Sequence, residues 1–225
     1  MTRTGGQIDP AGTWAIIAVR GLEQAKSRLG GLLDAEERHD LVSRLLGRAI
    51  EAATGSSRIA GTIVVSSDPA ALQLARAAGA VPVADEDGGL NPALELARTE
   101  ALSRGATALV VLPADLPWLD RETLDAVLEA AAEAAEAASG GGGAGDPFVA
   151  LVPDRHGTGT NVLIMAPPGA IAFAFGPGSR SDHEAAAAAA GSTYVELGGP
   201  LDIDLDTPED LVLVEGLAPE TIDVG

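Results

Sequence analysis

Four times in its first 139 residues the chain alternates a short apolar run with a stretch of helical spacing. The runs are WAIIAV (14–19), TIVVSS (62–67), AVPVAD (80–85) and ALVVL (108–112). They are short, rich in β-branched residues and scarcely interrupted by charge, as expected of strands covered on both faces. The segments between them carry helix start signals. Asp34 stands at an N-cap with Glu37 at the capping-box position, and Leu41, Val42, Leu45, Leu46 and Ile50 form one apolar face. Asp68-Pro69 supplies an N-cap followed by proline at the first helical position, NPALELARTEALSR forms the third helix, and Asp120 caps the fourth. Strand–helix alternation of this kind predicts an α/β fold, a mostly parallel sheet with flanking helices.

The pattern breaks at residues 139–146, a glycine-rich stretch that reads as a flexible loop inserted in a single domain spanning 14–216. Residues 1–13 and 217–225 are expected to be tails, the first of them disordered. Beyond the loop, FVALVP, GTNVLIMAP and STYVELG read as strands and DHEAAAAAAG as a short helix. The final unit, DIDLDTPEDLVLVEG, reads as a strand and a helix capped by Thr207, with Pro208 at N1 and Asp210 at N3.

Charge and composition narrow the functional classes. The chain has 225 residues, 46% of them hydrophobic, which suffices for one good-sized core. Thirty-three acids against 14 bases give a net charge of −19, which disfavours nucleic acid and anionic membranes as partners. The absence of cysteine removes disulfides, cysteine-ligated zinc and thiol chemistry. No run of 18 apolar residues occurs and the N-terminus lacks an apolar signal core, so a cytoplasmic protein is expected.

In ALVVLPADLPWLD, the fourth apolar run ends on Asp115, held between Pro113 and Pro117. The prolines stop the strand and stiffen the turn, and the C-terminal ends of parallel strands are where ligands bind in open α/β sheets. Asp115 reads either as a cap of the next turn or as a ligand. In LDIDLDTPE, Asp202, Asp204 and Asp206 alternate with Leu201, Ile203 and Leu205. On a strand the three acids would share a face, giving either an exposed edge or a hard-cation site in which Asp115 meets Asp204 and Asp206 around Mg²⁺. Successive same-face positions lie about 6.6 Å apart, so one ion is shared by neighbours rather than by all three acids.

Anion binders are also candidates. RHGTGTN (155–161) offers glycines between threonines, and FGPGSRSDH (175–183) sets Gly176, Ser179 and Arg180 before a helix N-terminus. Arg20, Lys26 and Arg28 follow the first strand, and Lys26 is the only lysine among 14 bases. Its retention reads either as chance or as a need for a compact ammonium. Neither a dinucleotide-binding fingerprint nor a P-loop is present, and the three histidines have no ligand spacing.

In order, AVRGLEQAKSRL, VVSSD, DEDGGLNPAL, LPADLPWL, DRHGTGTNVL, FGPGSRSDH and DIDLDTPEDL resemble the guanylyltransferases that act on phosphoenolpyruvate or 2-phospholactate in coenzyme F420 biosynthesis. The resemblance spans roughly 14–214 and implies a nucleotide-diphosphosugar-transferase-like, Rossmann-like fold, GTP as donor and Mg²⁺ as cofactor. It implies metal binding by Asp115, Asp204 and Asp206, and binding of the small phosphorylated C3 acid by Thr160, Gly176 and Ser179. It further implies that Lys26 and Arg28 hold the GTP phosphates and that Asn91 faces the nucleoside. Lys26, Arg28 and Asp115 are the expected catalytic residues. At Arg20 the chain departs from the pattern, since many relatives carry lysine there.

The expected reaction is attack by the acid's phosphate on the α-phosphorus of GTP, with loss of pyrophosphate. A phosphate monoester is already mostly dianionic near neutrality, so no general base is required. Phosphoenolpyruvate is the preferred acceptor, on overall similarity to bacterial members. Other readings are a molybdenum-cofactor or sugar-phosphate nucleotidyltransferase, or a nucleotide-binding protein without activity. Oligomeric state is not legible, a homodimer being one option.

Overall fold

The structure is a computed structural model that describes residues 6–19, 31–86, 88–139, 146–205, 207, 209–210 and 212. Within them, seven strands form one sheet: β1 (Thr13–Ala18), β2 (Gly61–Ser66), β3 (Val81–Ala84), β4 (Ala108–Pro113), β5 (Phe148–Pro153), β6 (Thr160–Ala166) and β7 (Thr193–Glu196). The spatial order is β3-β2-β1-β4-β6-β5-β7. All pairings are parallel except those of β6, which runs antiparallel to both β4 and β5. Five helices are described: α1 (Ala35–Gly55), α2 (Pro69–Ala77), α3 (Leu90–Ser103), α4 (Arg121–Ala138) and α5 (Ser179–Ala190).

The central strands are apolar on both faces because both faces are covered. Ile17, Val64, Val110 and Leu112 point into a core shared with Val42, Leu46 and Ile50 of α1 and Leu124 and Leu128 of α4. Their sequence neighbours Ile16, Ile63, Val65, Leu109 and Val111 point the other way, against Leu94 and Ala97 of α3, Ala187 of α5 and Phe173 in the segment before α5. The period-2 alternation of a strand thus fills two separate cores with an unbroken apolar sequence.

The caps expected from sequence are present. Asp34 accepts from the amides of Glu36 and Glu37 at 2.9 and 3.0 Å, and Glu37 returns the bond by accepting from the Asp34 amide at 2.8 Å. Asp68 accepts from the Ala70 amide and Asp120 from the Thr123 amide, both at 2.8 Å. Thr207 and Asp210 form the reciprocal pair: Asp210 accepts from the Thr207 amide at 2.6 Å and its own amide donates to the Thr207 hydroxyl at 3.3 Å.

One expectation is corrected. The stretch from 201 to 205 is no strand. Pro200–Asp202 forms a single 3₁₀ turn and residues 203–205 run extended outside any ladder. Gly199 at φ 144° and Pro200 turn the chain away from the sheet. Its backbone is held by single bonds instead: the Leu205 backbone amide donates to the Asp115 carbonyl at 3.1 Å, and the Asn161 side-chain amide of β6 donates to the Leu201 carbonyl at 3.0 Å. Leu201 and Leu205 are still buried, so the apolar residues found the core without strand geometry. Residues 6–13, which fall in the expected N-terminal tail, are among those described. The Thr13 hydroxyl donates to the Asp9 carbonyl at 2.8 Å, and Ile8 packs on the first core. The glycine-rich loop at 140–145 and residues 213–225 lie outside the described residues.

The α1 capping box gives a direct check on local energetics. Asp34→Ala should lower stability by about 1 kcal/mol, read as a shift of the urea midpoint at unchanged slope. An unchanged midpoint would mean that the box does not hold the helix end in solution.

Candidate active site

Helix α3 carries the chain from the β3 edge back across to β4, which lies on the other side of β1. That reversal places the C-terminal ends of β1 and β4 side by side, with Ala18 paired to Pro113. Such a switch point opens a crevice that no crossover helix fills. A cavity of about 170 Å³ sits there, with Ala18, Pro113, Asp115, Thr160, Asn161 and Asp204 in its wall. Leu94, Val111 and Phe175 make its apolar side. A larger polar groove of about 470 Å³ lies elsewhere, between Gln7–Asp9 and α4, and carries none of the expected site residues.

Asp115 and Asp204 come from segments 89 residues apart in sequence and reach one cavity because the two backbones are tied. The bond from the Leu205 amide to the Asp115 carbonyl fixes their register, and Asn161 anchors the start of the acidic segment. Arg155 holds its far end by an ion pair with Asp210, which is almost wholly buried. Asp202 lies in the 3₁₀ turn and is not among the described residues of the cavity wall. Asp206, Arg20, Lys26 and Arg28 fall outside the described residues. Among the described residues no three histidine or acidic side chains gather as a metal site. Two carboxylates on one cavity do fit Mg²⁺, which takes one or two and fills its remaining positions with water and phosphate oxygens.

Of Thr160, Gly176 and Ser179, only Thr160 is among the described residues of the cavity wall. Thr160 opens β6, while Gly176, at φ 146°, accepts from the Ser179 amide at 3.1 Å, and Ser179 is buried at the first turn of α5. The ring that bonds Thr160 is His183, fully buried and on the same helix as Ser179. Its Nδ1 lies 3.0 Å from the Thr160 hydroxyl, its Nε2 accepts from the Ala174 amide at 3.1 Å, and Phe175 packs edge-on at 4.9 Å. Burial pushes the His183 pKa down to about 4, opposed only weakly by nearby Asp182. Metal-ligand spacing could not reveal this residue; its place four positions after Ser179 on a helix face was the available signal.

Asn91 is a clamp. Its side chain donates to the Phe175 carbonyl at 3.0 Å and accepts from the Phe175 amide at 2.9 Å, binding α3 to the segment before α5. This engages the amide that was expected to face the nucleoside. The GTGT turn is likewise closed on itself. Asp154 accepts from the Thr158 amide at 2.8 Å and the Asp154 carbonyl from the Gly157 amide at 2.9 Å. A Cβ on Gly159 would come within 2.8 Å of the Asp154 carboxylate, so the glycine there makes room for Asp154 rather than for a ligand. Arg180, expected to face an anion, forms a two-pronged pair with Glu196 at 2.7 and 3.0 Å and donates to the Gly157 carbonyl at 3.1 Å.

This seven-stranded arrangement, with its ligand cavity at the β1/β4 switch, is the fold of the nucleotide-diphospho-sugar transferases. It matches a Desulfovibrio desulfuricans protein assigned to that class with a TM-score of 0.67, at 14% identity, over 93% of this chain and 89% of the other. A cytidylyltransferase from Leptospira borgpetersenii matches with a TM-score of 0.56, at 13% identity, over 95% and 90% of the two chains. At the level of sequence, the profile described as "Guanylyl transferase CofC like" matches residues 13–216. The chain belongs to this CofC-like guanylyl transferase family. The phosphoenolpyruvate guanylyltransferase of Sphaerobacter thermophilus is 39% identical over 208 residues, 92% of this chain and 94% of that protein. The protein of the same name from Rubrobacter xylanophilus is 41% identical over 203 residues, 90% and 93% of the two chains.

The buried ring makes the protein acid-sensitive in a defined window. His183 has a folded pKa near 4 against about 6.5 unfolded, so between those values the unfolded chain binds more protons. Its contribution to stability is therefore fully present above about pH 6.5 and is lost as pH falls towards 4. The stability difference between wild type and His183→Phe should shrink by about 1–2 kcal/mol from pH 7 to pH 5, measured by urea unfolding. A difference independent of pH would mean that the ring is solvated.

Proposed function

We propose that the protein transfers GMP from GTP to the phosphate of phosphoenolpyruvate, releasing pyrophosphate, with 2-phospholactate as the alternative acceptor. The observation that carries this reading is the convergence of Asp115, Asp204 and Thr160 on one cavity at the switch point of a CofC-like chain. Close relatives named phosphoenolpyruvate guanylyltransferase support that acid over the other. GTP and the acid are small anions of the cytoplasm, the location that this activity requires. No described helix is long and apolar enough to cross a membrane.

In the reaction, a phosphate oxygen of the acid attacks the α-phosphorus of GTP in line. One P–O bond forms to the acceptor and the bond to the β-phosphate breaks, its electron pair leaving with pyrophosphate. No proton need be removed from the nucleophile, since the phosphate is mostly dianionic near pH 7. The chain's task is to place two polyanions against each other and offset their charge. Asp115, Asp204 and Asp206 would hold Mg²⁺, which supplies charge neutralisation at the GTP phosphates. Lys26 and Arg28, which follow β1 in sequence, would add cations; β1 ends at Ala18, part of the cavity wall. Thr160, Gly176 and Ser179 would hold the phosphoacid.

Incubation with GTP, Mg²⁺ and each acid, followed by mass spectrometry, should give the guanylylated acid and pyrophosphate. Turnover with sugar 1-phosphates and with neither acid would reject the reading. Asp115→Asn and Asp204→Asn should each cut kcat/KM by roughly 10²-fold or more without unfolding, whereas Asp202→Asn should stay within a few-fold of wild type. Lys26→Met should lose roughly 10²-fold with unchanged melting, because a single loop cation contributes little to stability. Full activity in that variant would make the lone lysine an accident of composition.

A further inference from the structure

We propose that His183 is a positioning residue: it fixes the Thr160 hydroxyl as a hydrogen-bond donor aimed into the cavity, and so makes that residue a receptor for an anion. The inference deepens the phosphoacid reading above and rests on it. It begins with a group that has no choice of role. The Ala174 backbone N–H can only donate, and it points at His183 Nε2 at 3.1 Å. Nε2 must therefore present its lone pair. A neutral imidazole carries its one proton on the other nitrogen, so Nδ1 is the N–H and donates across 3.0 Å to the Thr160 oxygen.

The direction of that second bond decides what Thr160 offers a ligand. A threonine hydroxyl has one proton and two lone pairs. With His183 filling a lone pair, the proton is left to donate elsewhere, and Thr160 lies in the wall of the cavity. In the opposite tautomer Thr160 would have to donate to Nδ1 and would turn only lone pairs to the ligand, which repel an anion. Burial keeps the ring neutral, which preserves the arrangement. Phe175, packed edge-on against the ring, and Asn91, gripping both backbone groups of Phe175, keep Ala174 in place. The device thus starts at one peptide N–H and ends as the sign of a hydroxyl.

The test separates the two nitrogens. His183→Phe keeps ring volume and removes both bonds. His183→Asn keeps a donor near the Nδ1 position, and His183→Gln keeps an acceptor near the Nε2 position only. KM for phosphoenolpyruvate should rise about tenfold or more in His183→Phe and His183→Gln, with KM for GTP within twofold of wild type. His183→Asn should recover most of that loss. Thr160→Val should raise the same KM, and adding His183→Phe to it should cause no further rise, because the two residues act as one unit. Losses that multiply, or equal effects on both substrates, overturn the proposal. Should His183→Phe fail to fold, the Asn and Gln pair still decides.

A readout without turnover keeps this separate from the substrate assignment. The ¹⁵N–¹H correlation spectrum of the imidazoles at pH 7 should show His183 protonated at Nδ1, identified among the three histidines by its loss in His183→Gln. Protonation at Nε2 overturns the proposal even if the enzyme is active. Wild-type protein that turns over neither acid refutes the substrate reading, and the tautomer spectrum then still decides the hydroxyl's direction.

Discussion

Two carboxylates, Asp115 and Asp204, face one cavity in a chain of formal charge −19. Like charges brought together resist their own assembly, so the fold has to hold them from outside. It does so with bonds to the backbone beside the acids and with an ion pair beyond them. The Leu205 amide on the Asp115 carbonyl, Asn161 on the Leu201 carbonyl, and Arg155 on Asp210 pin the acidic segment at its middle, start and end. Buried Leu201 and Leu205 supply the apolar anchorage. Packing and these bonds thus position the two acids on the wall of one cavity.

In the proposed reaction the same cavity also receives an anion, and its described wall holds no lysine or arginine. Arg180 looks available in the sequence but is committed to Glu196, and the amides of the GTGT turn are committed to Asp154. What remains is a neutral donor, the Thr160 hydroxyl, backed by a buried neutral histidine. A neutral donor binds a phosphoacid more weakly than a guanidinium would. It also leaves the phosphate less neutralised and therefore more nucleophilic, which suits a phosphate that must attack.

The switch point makes this cavity possible. Strands β1 and β4 are neighbours only because the chain reverses its direction of travel at α3, and the pairing of Ala18 with Pro113 is where the cavity opens. The acid-bearing turn after β4, the C-terminal end of β1 and the start of antiparallel β6 all converge on that spot. Prolines on both sides of Asp115 keep its turn short, and Phe175, clamped by Asn91, closes the apolar side.

The sequence by itself determined the elements. The apolar runs, the capping boxes at Asp34 and Thr207 and the prolines after β4 are local signals, read from spacing because their causes act within a few residues. Asp115, Asp204 and Thr160 were legible as candidates for the same reason: each sits in a short pattern with a chemical cause. The alternation in LDIDLD misled, because burial of every second residue is satisfied by a 3₁₀ turn and an extended run as well as by a strand; pattern alone does not say what a backbone bonds to. Only the tertiary structure decided which polar groups are already engaged. Arg180, Asn91 and the GTGT amides find partners up to 84 residues away, and His183 gains its role from Thr160, Ala174 and Phe175, which reach it from a strand and a loop outside its own helix. Hydrogen-bond direction is a property of the assembled network: the peptide N–H of Ala174 sets the tautomer of His183, and no spacing along the chain encodes that contact.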